Sequence, residues 1–366
     1  MVDFIDVFSD DTKHGHKIPK EKYLSIGKYP IVDQGQEHIA GFTDDCAGLY
    51  TDIPAIIFGD HTRVIKYINT PFFLGADGVK LLKGRSENID YRFCYHFLNK
   101  TQIPNTGYNR HFKWLKEVKI PLPPLPTQQK IADILDHANT LIEKRKIQIE
   151  KLDLLIKSQF IEMFGDPVTN PMGWEVKQIK DFATVKIGPF GSLLHAEDYI
   201  DGGIPLVNPS HIIDGEIITD QKLTLSVEKY ESLSAYALQT GDVVLGRRGE
   251  IGRCAVVGNS KYLCGTGSMF IRINQDYLPM MLQRIISSKA MRRVLKDKAV
   301  GVTMLNLNAS SVANLDVIMP PLELQNQFAD FVEHVETQKA QLKKGLELLE
   351  LNYKALMQKC FNGEVE

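Results

Sequence analysis

The segment from Pro123 to Phe164, PPLPTQQKIADILDHANTLIEKRKIQIEKLDLLIKSQFIEMF, returns in degenerate form from Pro320 to Phe361 as PPLELQNQFADFVEHVETQKAQLKKGLELLELNYKALMQKCF. Laid side by side without a gap, Gln128 falls on Gln325, Ala132 on Ala329, Asp133 on Asp330, His137 on His334 and Phe164 on Phe361. The spacing between copies is too long for a solenoid repeat, so it marks duplication of a whole lobe-plus-helix unit. Whatever this chain folds into must use one architectural unit twice.

Spacing predicts that both copies are helices. Pro123-Pro124 and Pro320-Pro321 punctuate the starts, and Gly345 is the one mid-helix glycine. Beyond the first turns, seam positions recur at alternating steps of four and three: Ala138, Ile142, Arg145, Ile149, Leu152 and Ile156, matched by Val335, Lys339, Leu342, Leu346, Leu349 and Tyr353. That is a heptad seam with one basic interruption per copy. Each helix could pack on its own lobe, but two copies in one chain favour a helix–helix pair built on Ile142, Ile149, Leu152, Ile156, Leu342, Leu346, Leu349 and Tyr353.

Connectivity sets the direction of that pair. A helix of about 38 residues is a rod of about 57 Å, whereas the lobe between the copies, at about 150 residues, has a radius of gyration near roughly 15 Å. A parallel pair would require that lobe to start at one end of the rod and finish at the other. An antiparallel coiled coil removes the conflict and predicts a dumbbell with pseudo-two-fold symmetry.

At 366 residues and 43% hydrophobic content the chain can bury more than one core. Its net charge of −2 excludes no partner class, because a local basic face can sit on a neutral chain. No apolar run approaches the roughly 20 residues of a membrane span, and the start MVDFIDVFSDD is too polar for a secretory signal; the expected location is the cytoplasm, with no membrane partner. Five scattered cysteines without a CxxC pair suggest buried thiols and no metal site.

The first lobe, residues 1–122, alternates strand-like runs with turns: YPIVDQGQ from Tyr29, AIIFGDHTRVIKYI from Ala55 and FFLGADGVKLL from Phe72, then a helix-like segment from Tyr91. The spacer helix takes 123–166. The second lobe, 167–319, repeats the order with different residues and carries a helix-like run, YLPMMLQRIISSKAMRRVLKDK, from Tyr277; the C-terminal helix takes 320–366. The fold class is α+β: two α/β lobes separated by a long antiparallel helix pair. A fixed scaffold with divergent lobes fits a different ligand for each.

These features resemble the DNA sequence-specificity subunit of type I restriction-modification systems. The residues carrying the resemblance are the two proline-led helix heads, PPLPTQQKIADIL and PPLELQNQFADFV, with FGDHTR from Phe58, GADG from Gly75, GPFGS from Gly188 and GDVVLGRRGEIGR from Gly241. The resemblance spans essentially the whole chain. It implies no catalysis in this chain: each lobe is a target recognition domain reading half of a split, asymmetric site in double-stranded DNA. It implies that the helices are a spacer and dock adenine-N6 methyltransferase (modification) subunits, with ATP-driven restriction/translocase subunits completing the assembly. S-adenosylmethionine, ATP and Mg would then belong to those partners.

The motif inventory agrees with that division. No GxxxxGK[ST] phosphate loop occurs. Asn208-Pro209-Ser210 lacks the second proline and the aromatic of an adenine-methylase turn and reads as an Asn-Pro turn. Asp166, Glu175 and Lys177 could be taken for a nuclease set, but Glu175 and Lys177 beside Trp174 read better as an exposed strand opening the second lobe. GADG and CGTGS are expected to be turns between strands, and His137 and His334 to be surface histidines.

For DNA contact, Arg247, Arg248 and Arg253 sit in RRGEIGR between two strand-like runs, where a turn can present guanidinium groups to phosphate or to guanine O6 and N7. The matching turn in the first lobe is GDHTR, with His61, Thr62 and Arg63, and a later loop offers Asn109, Arg110, His111 and Lys113. Arg292, Arg293, Lys296 and Lys298 form either a solvated helix face or a phosphate track. Two other classes stay open from the residues: a single-chain modification or restriction enzyme, and a protein-binding scaffold.

Overall fold

The computed structural model describes residues 1–75, 78–301 and 306–364. The chain divides into two compact units, one of residues 1–149 with 341–366, the other of residues 150–340. Ala76 and Asp77, the centre of the GADG string, lie outside the described residues.

In the first unit, β1 (Phe8–Asp10), β2 (Tyr29–Val32), β3 (Gly41–Thr43), β4 (Ala55–Gly59), β5 (Ile65–Ile68), β6 (Phe73–Leu74) and β7 (Val79–Gly84) form two sheets, ordered β1-β7-β4-β5 and β3-β2-β6. β4 is AIIFG, apolar on both faces and wholly buried, as a strand covered on each side must be. β2 and β6 run parallel, with Ile31 opposite Phe73 and Val32 opposite Leu74, and the other strand–strand pairs of these two sheets are antiparallel. A short pair, Val2–Asp3 with Lys119–Ile120, brings the two ends of the lobe together.

The second unit repeats this plan. β8 (Ala183–Ile187), β9 (Ile204–Val207), β10 (Val243–Gly246), β11 (Cys254–Val256), β12 (Tyr262–Cys264) and β13 (Ser268–Ile273) include a four-stranded sheet ordered β8-β13-β10-β11. β9 pairs with β12 in parallel, Leu206 to Leu263 and Val207 to Cys264. Val176–Gln178 pairs with Asp316–Ile318 and plays the closing part. The expected single helix from Tyr277 is two, Pro279–Ser287 and Lys289–Lys298. Ser288 breaks it by turning extended (φ −62, ψ 149) and capping the second piece through a bond to the Met291 amide, which satisfies an amide that would otherwise be orphaned at the new helix start.

The long helices are Leu125–Phe164 and Leu322–Phe361, each 40 residues. Parts of both enter each unit, and within each unit they run antiparallel. In the first, Lys146 lies 4.0 Å from Glu350, while Asp136 and Tyr353 meet on the two nitrogens of His96. In the second, Lys339 Nζ is 2.5 Å from Asp153 Oδ1, and Phe328 packs edge-on against Phe160 and Phe164. The seam positions of both copies are all buried or half-buried. Gly345 has a packing reason: a Cβ there would sit 2.3 Å from Arg145 Nη1, so the glycine makes room for the basic interruption of the facing helix.

Each unit has its own core. Phe93, Leu98, Ile131, Leu135 and Cys360 share one, and Phe164, Phe182, Ile271, Leu282 and Phe328 share the other. Burying one such side chain contributes about 1.5–3 kcal/mol, so the helix segments are integral to both cores. Four cysteines are buried as expected; Cys46 is exposed. His137 and His334 are exposed, each with Nδ1 bonded to the backbone oxygen four residues back, Asp133 and Asp330.

Candidate nucleic-acid interface

The β4–β5 connection is a tight turn. Gly59 N–H donates to Val64 O (2.8 Å) and Arg63 N–H to Gly59 O (2.7 Å). Arg63 takes φ +62, a left-handed conformation that a non-glycine residue adopts at a cost. A Cβ on Gly59 would meet Thr62 Oγ1 at 2.2 Å, so this turn requires glycine there. Asp60 is buried, and its carbonyl oxygen accepts from His111 N–H (2.7 Å) and from His111 Nδ1 (3.0 Å), while Oδ1 accepts from Phe112 N–H (2.8 Å). These partners assign Nδ1 of His111 as donor and leave Nε2 to accept from Thr106 N–H. The turn and the later loop are thus one assembly.

Of the residues singled out in this lobe, His61 is half-buried and accepts a stacking partner, Tyr108, with ring centroids 4.6 Å apart and planes 7° from parallel. Its Nδ1 lies 3.2 Å from Asn109 O. Thr62 is exposed and donates to Gln34 O (2.6 Å), and Arg63 Nη1 donates to Ile103 O (3.2 Å). Arg110 and Lys113 are exposed; Lys113 Nζ sits 4.1 Å over the Trp114 ring. His111 is 0% exposed. It holds the loop from inside and presents no surface.

The second lobe builds the same frame with other side chains. Arg247 N–H donates to Gly267 O (3.0 Å) as Asp60 N–H does to Gly78 O (2.7 Å), and Arg247 O accepts from Leu307 N–H (2.9 Å) as Asp60 O does from His111. Arg247 therefore stands in the place of Asp60, and Arg248 in that of His61. Arg247 is half-buried with Nε donating to Asn306 Oδ1 (3.1 Å), and burial, with Arg248 alongside, holds its guanidinium below the usual arginine value. Arg248 is exposed. Arg253 is turned back on Glu250 (Nε to Oε2, 2.7 Å), which also stands 3.9 Å from Arg292. The structure thus brings Arg247 and Arg248 together in a cationic turn and partly neutralises Arg253.

Two pairs of residues complete this frame, one not singled out from sequence and one read there only as an Asn-Pro turn. Asp33 and Gln34 follow β2, and Asn208 and Pro209 follow β9. A Cβ on Gly75 would lie 2.4 Å from Asp33 Cβ, and one on Gly265 would lie 2.1 Å from Asn208 Oδ1. Gly59 and Gly246 would meet Gln34 Cβ and Pro209 Cβ at 2.9 and 3.1 Å. Gly75 and Gly265, the first glycines of strings expected to be turns between strands, are thus also places where a polar strand end packs tightly. The detectable signal was that GADG and CGTGS fall at the same place in the two lobes. Among the described residues no cluster of histidine, cysteine and acidic side chains is arranged to hold a metal.

Comparison with known proteins agrees with this architecture. The MjaVIII type I restriction enzyme specificity subunit of Methanocaldococcus jannaschii is 22% identical over 324 residues, covering 80% of this chain and 76% of that protein. The EcoBI specificity subunit of Escherichia coli is 23% identical over 77% of this chain and 67% of its own length. Among solved structures, the S subunit of a type I restriction-modification system from M. genitalium superposes with a TM-score of 0.58 at 17% identity, covering 97% of this chain and 93% of that one. A chain from a structure of type I R-M complex assembly gives 0.56 at 15% identity, covering 98% and 95%. The family described as type I restriction modification DNA specificity domain matches residues 3–151 and 171–351, and the chain belongs to that family.

Proposed function

We propose that this chain, without catalysis of its own, recognises DNA for a type I restriction-modification complex, each lobe reading one half of a split, asymmetric target. The observation that carries this reading is one backbone frame displaying two unlike side-chain sets: His61, Thr62 and Arg63 in one lobe, Arg247 and Arg248 in the other. Equal frames supply equal approach to a duplex, and unequal side chains supply different base preferences. Lobe boundaries at 1–122 and 167–319, with spacer helices 123–166 and 320–366, belong to the same reading. The helices fix the distance between half-sites and offer their outer faces to methyltransferase subunits, with restriction/translocase subunits joining them. S-adenosylmethionine, ATP and Mg act on those partners. No helix among the described residues is long and apolar enough to cross a membrane, which suits a cytoplasmic assembly.

The test is binding of the assembled complex to duplex DNA across a salt series. Affinity should fall linearly on a log–log plot as counterions are released by lysine and arginine contacts, with tighter binding to the methylated target than to a scrambled duplex. Binding with no salt slope and no sequence preference would favour a protein scaffold instead.

A further inference from the structure

Tyr108 is 88% exposed at the tip of the loop that the Asp60–His111 bonds tie to the β4–β5 turn. An isolated exposed aromatic means little. This one has a fixed orientation: its ring lies 7° from parallel to the His61 imidazole at 4.6 Å, and His61 is itself held between Gln34 Oε1, which accepts its backbone N–H, and Asn109 O. Asn109 in turn bonds through Nδ2 to the oxygens of Thr106, closing the loop on itself. Gly107, at φ +80 with open space around it, lets the chain bend into that tip. Exposed Arg110 follows two residues after Tyr108. A flat, exposed ring backed by a second ring and pre-oriented, with a cation two residues along the chain, is a construction suited to stack a nucleobase, since every base offers a π-face and an already ordered ring loses little entropy on contact.

We infer that Tyr108, backed by His61, stacks on a base of the first half-site that is displaced from its neighbour when the lobe binds. The inference rests on the DNA-reading role proposed above and adds to it a contact that the basic residues do not make. Stacking carries no charge, so it contributes affinity and local base-step opening without altering counterion release.

The experiment uses the complex with its modification subunits and duplexes of the target defined by methylation mapping, with 2-aminopurine placed at one position after another through the first half-site. Unstacking raises 2-aminopurine fluorescence, so one position should brighten on binding. Tyr108→Phe should keep that signal. Tyr108→Ala should abolish it and weaken binding about 10- to 100-fold, the range for loss of one base–aromatic stack, with an unchanged salt slope. Tyr108→Leu, which keeps an apolar side chain and removes the ring, should behave like the alanine variant. Wild-type affinity and fluorescence in Tyr108→Ala would overturn the inference and leave the DNA-reading role standing; absence of site-specific binding by the wild-type complex would overturn both.

Discussion

Gln128 and Gln325 make the same pair of bonds in the two units. Gln128 Nε2 donates to Pro123 O and Gln325 Nε2 to Pro320 O, both at 2.8 Å, while Oε1 accepts from Asp90 N–H (3.0 Å) in one and from Leu278 N–H (2.9 Å) in the other. Asp90 and Leu278 are the residues that start the lobe helices Tyr91–Lys100 and Pro279–Ser287. One buried amide thus joins the proline-led start of a long helix to the start of a lobe helix. Gln128→Leu or Gln325→Leu strands a donor and an acceptor in the interior, each at a cost of about 1–3 kcal/mol. Denaturant unfolding of each variant should show a loss of about 2–6 kcal/mol, and a loss below the error of the fit would contradict the clamp.

Phe328 is fully buried, with Phe160 and Phe164 each at 5.6 Å between ring centroids. Phe328→Ala empties that space and should cost about 3–5 kcal/mol. Leu152→Asp, which puts a carboxylate on the seam beside Asp153, where Lys339 is already paired with Asp153 and Glu336, should also destabilise the second unit. Near-wild-type melting of both variants would mean that the helix segments are not part of that core.

His96 is buried between Asp136 Oδ1, 2.7 Å from Nε2, and Tyr353 Oη, 2.9 Å from Nδ1. Burial, opposed by the bond to Asp136, holds its imidazole below the usual value of 6.5, while burial pushes the Tyr353 hydroxyl up to about 12, so it stays a donor. With the folded value depressed, the unfolded chain takes up the proton first. Stability from this group is complete above about pH 6.5 and is lost as the pH falls from there toward the folded value. Thermal melts from about pH 7.5 to about 5.5 should show a decline that His96→Gln flattens; identical slopes would remove His96 as its source.

How much of this was legible in sequence depends on how local the causes are. The repeat and heptad spacing located both long helices to within two residues of their prolines, because helical periodicity is written along the chain. The break at Ser288 was not foreseen, since a serine cap competes with helix continuation only through the packing of both pieces. The β4–β5 and β10–β11 turns were placed by their glycines and charges. His111 carried the chemistry of a contact residue, yet its position depends on the Asp60 carbonyl, distant in sequence and supplied by the fold. Asp33 and Tyr108 were missed, and Asn208 was read only as part of an Asn-Pro turn, for the same reason: a strand end packed against a glycine of another segment and a ring stacked on His61 are relations between segments.

Arg247 and Arg248 should separate affinity from readout. Arg247 is half-buried and fixed by Asn306, a geometry suited to a base edge, whereas exposed Arg248 suits a phosphate. Arg247→Ala is expected to cost about 1–3 kcal/mol on the cognate site and relax one position. Arg248→Ala should weaken cognate and scrambled duplexes alike, with a salt slope shallower by about one. If neither variant changes affinity, slope or preference, this turn does not face DNA.

The division of the target between lobes is tested most directly by methylome sequencing of a host expressing this chain with its modification subunit, before and after residues 167–319 are replaced by the corresponding lobe of a relative. One half of the methylated sequence should change while the other half and the spacing persist. A chimera that alters both halves, or only the spacing, would contradict a lobe-by-lobe reading of DNA.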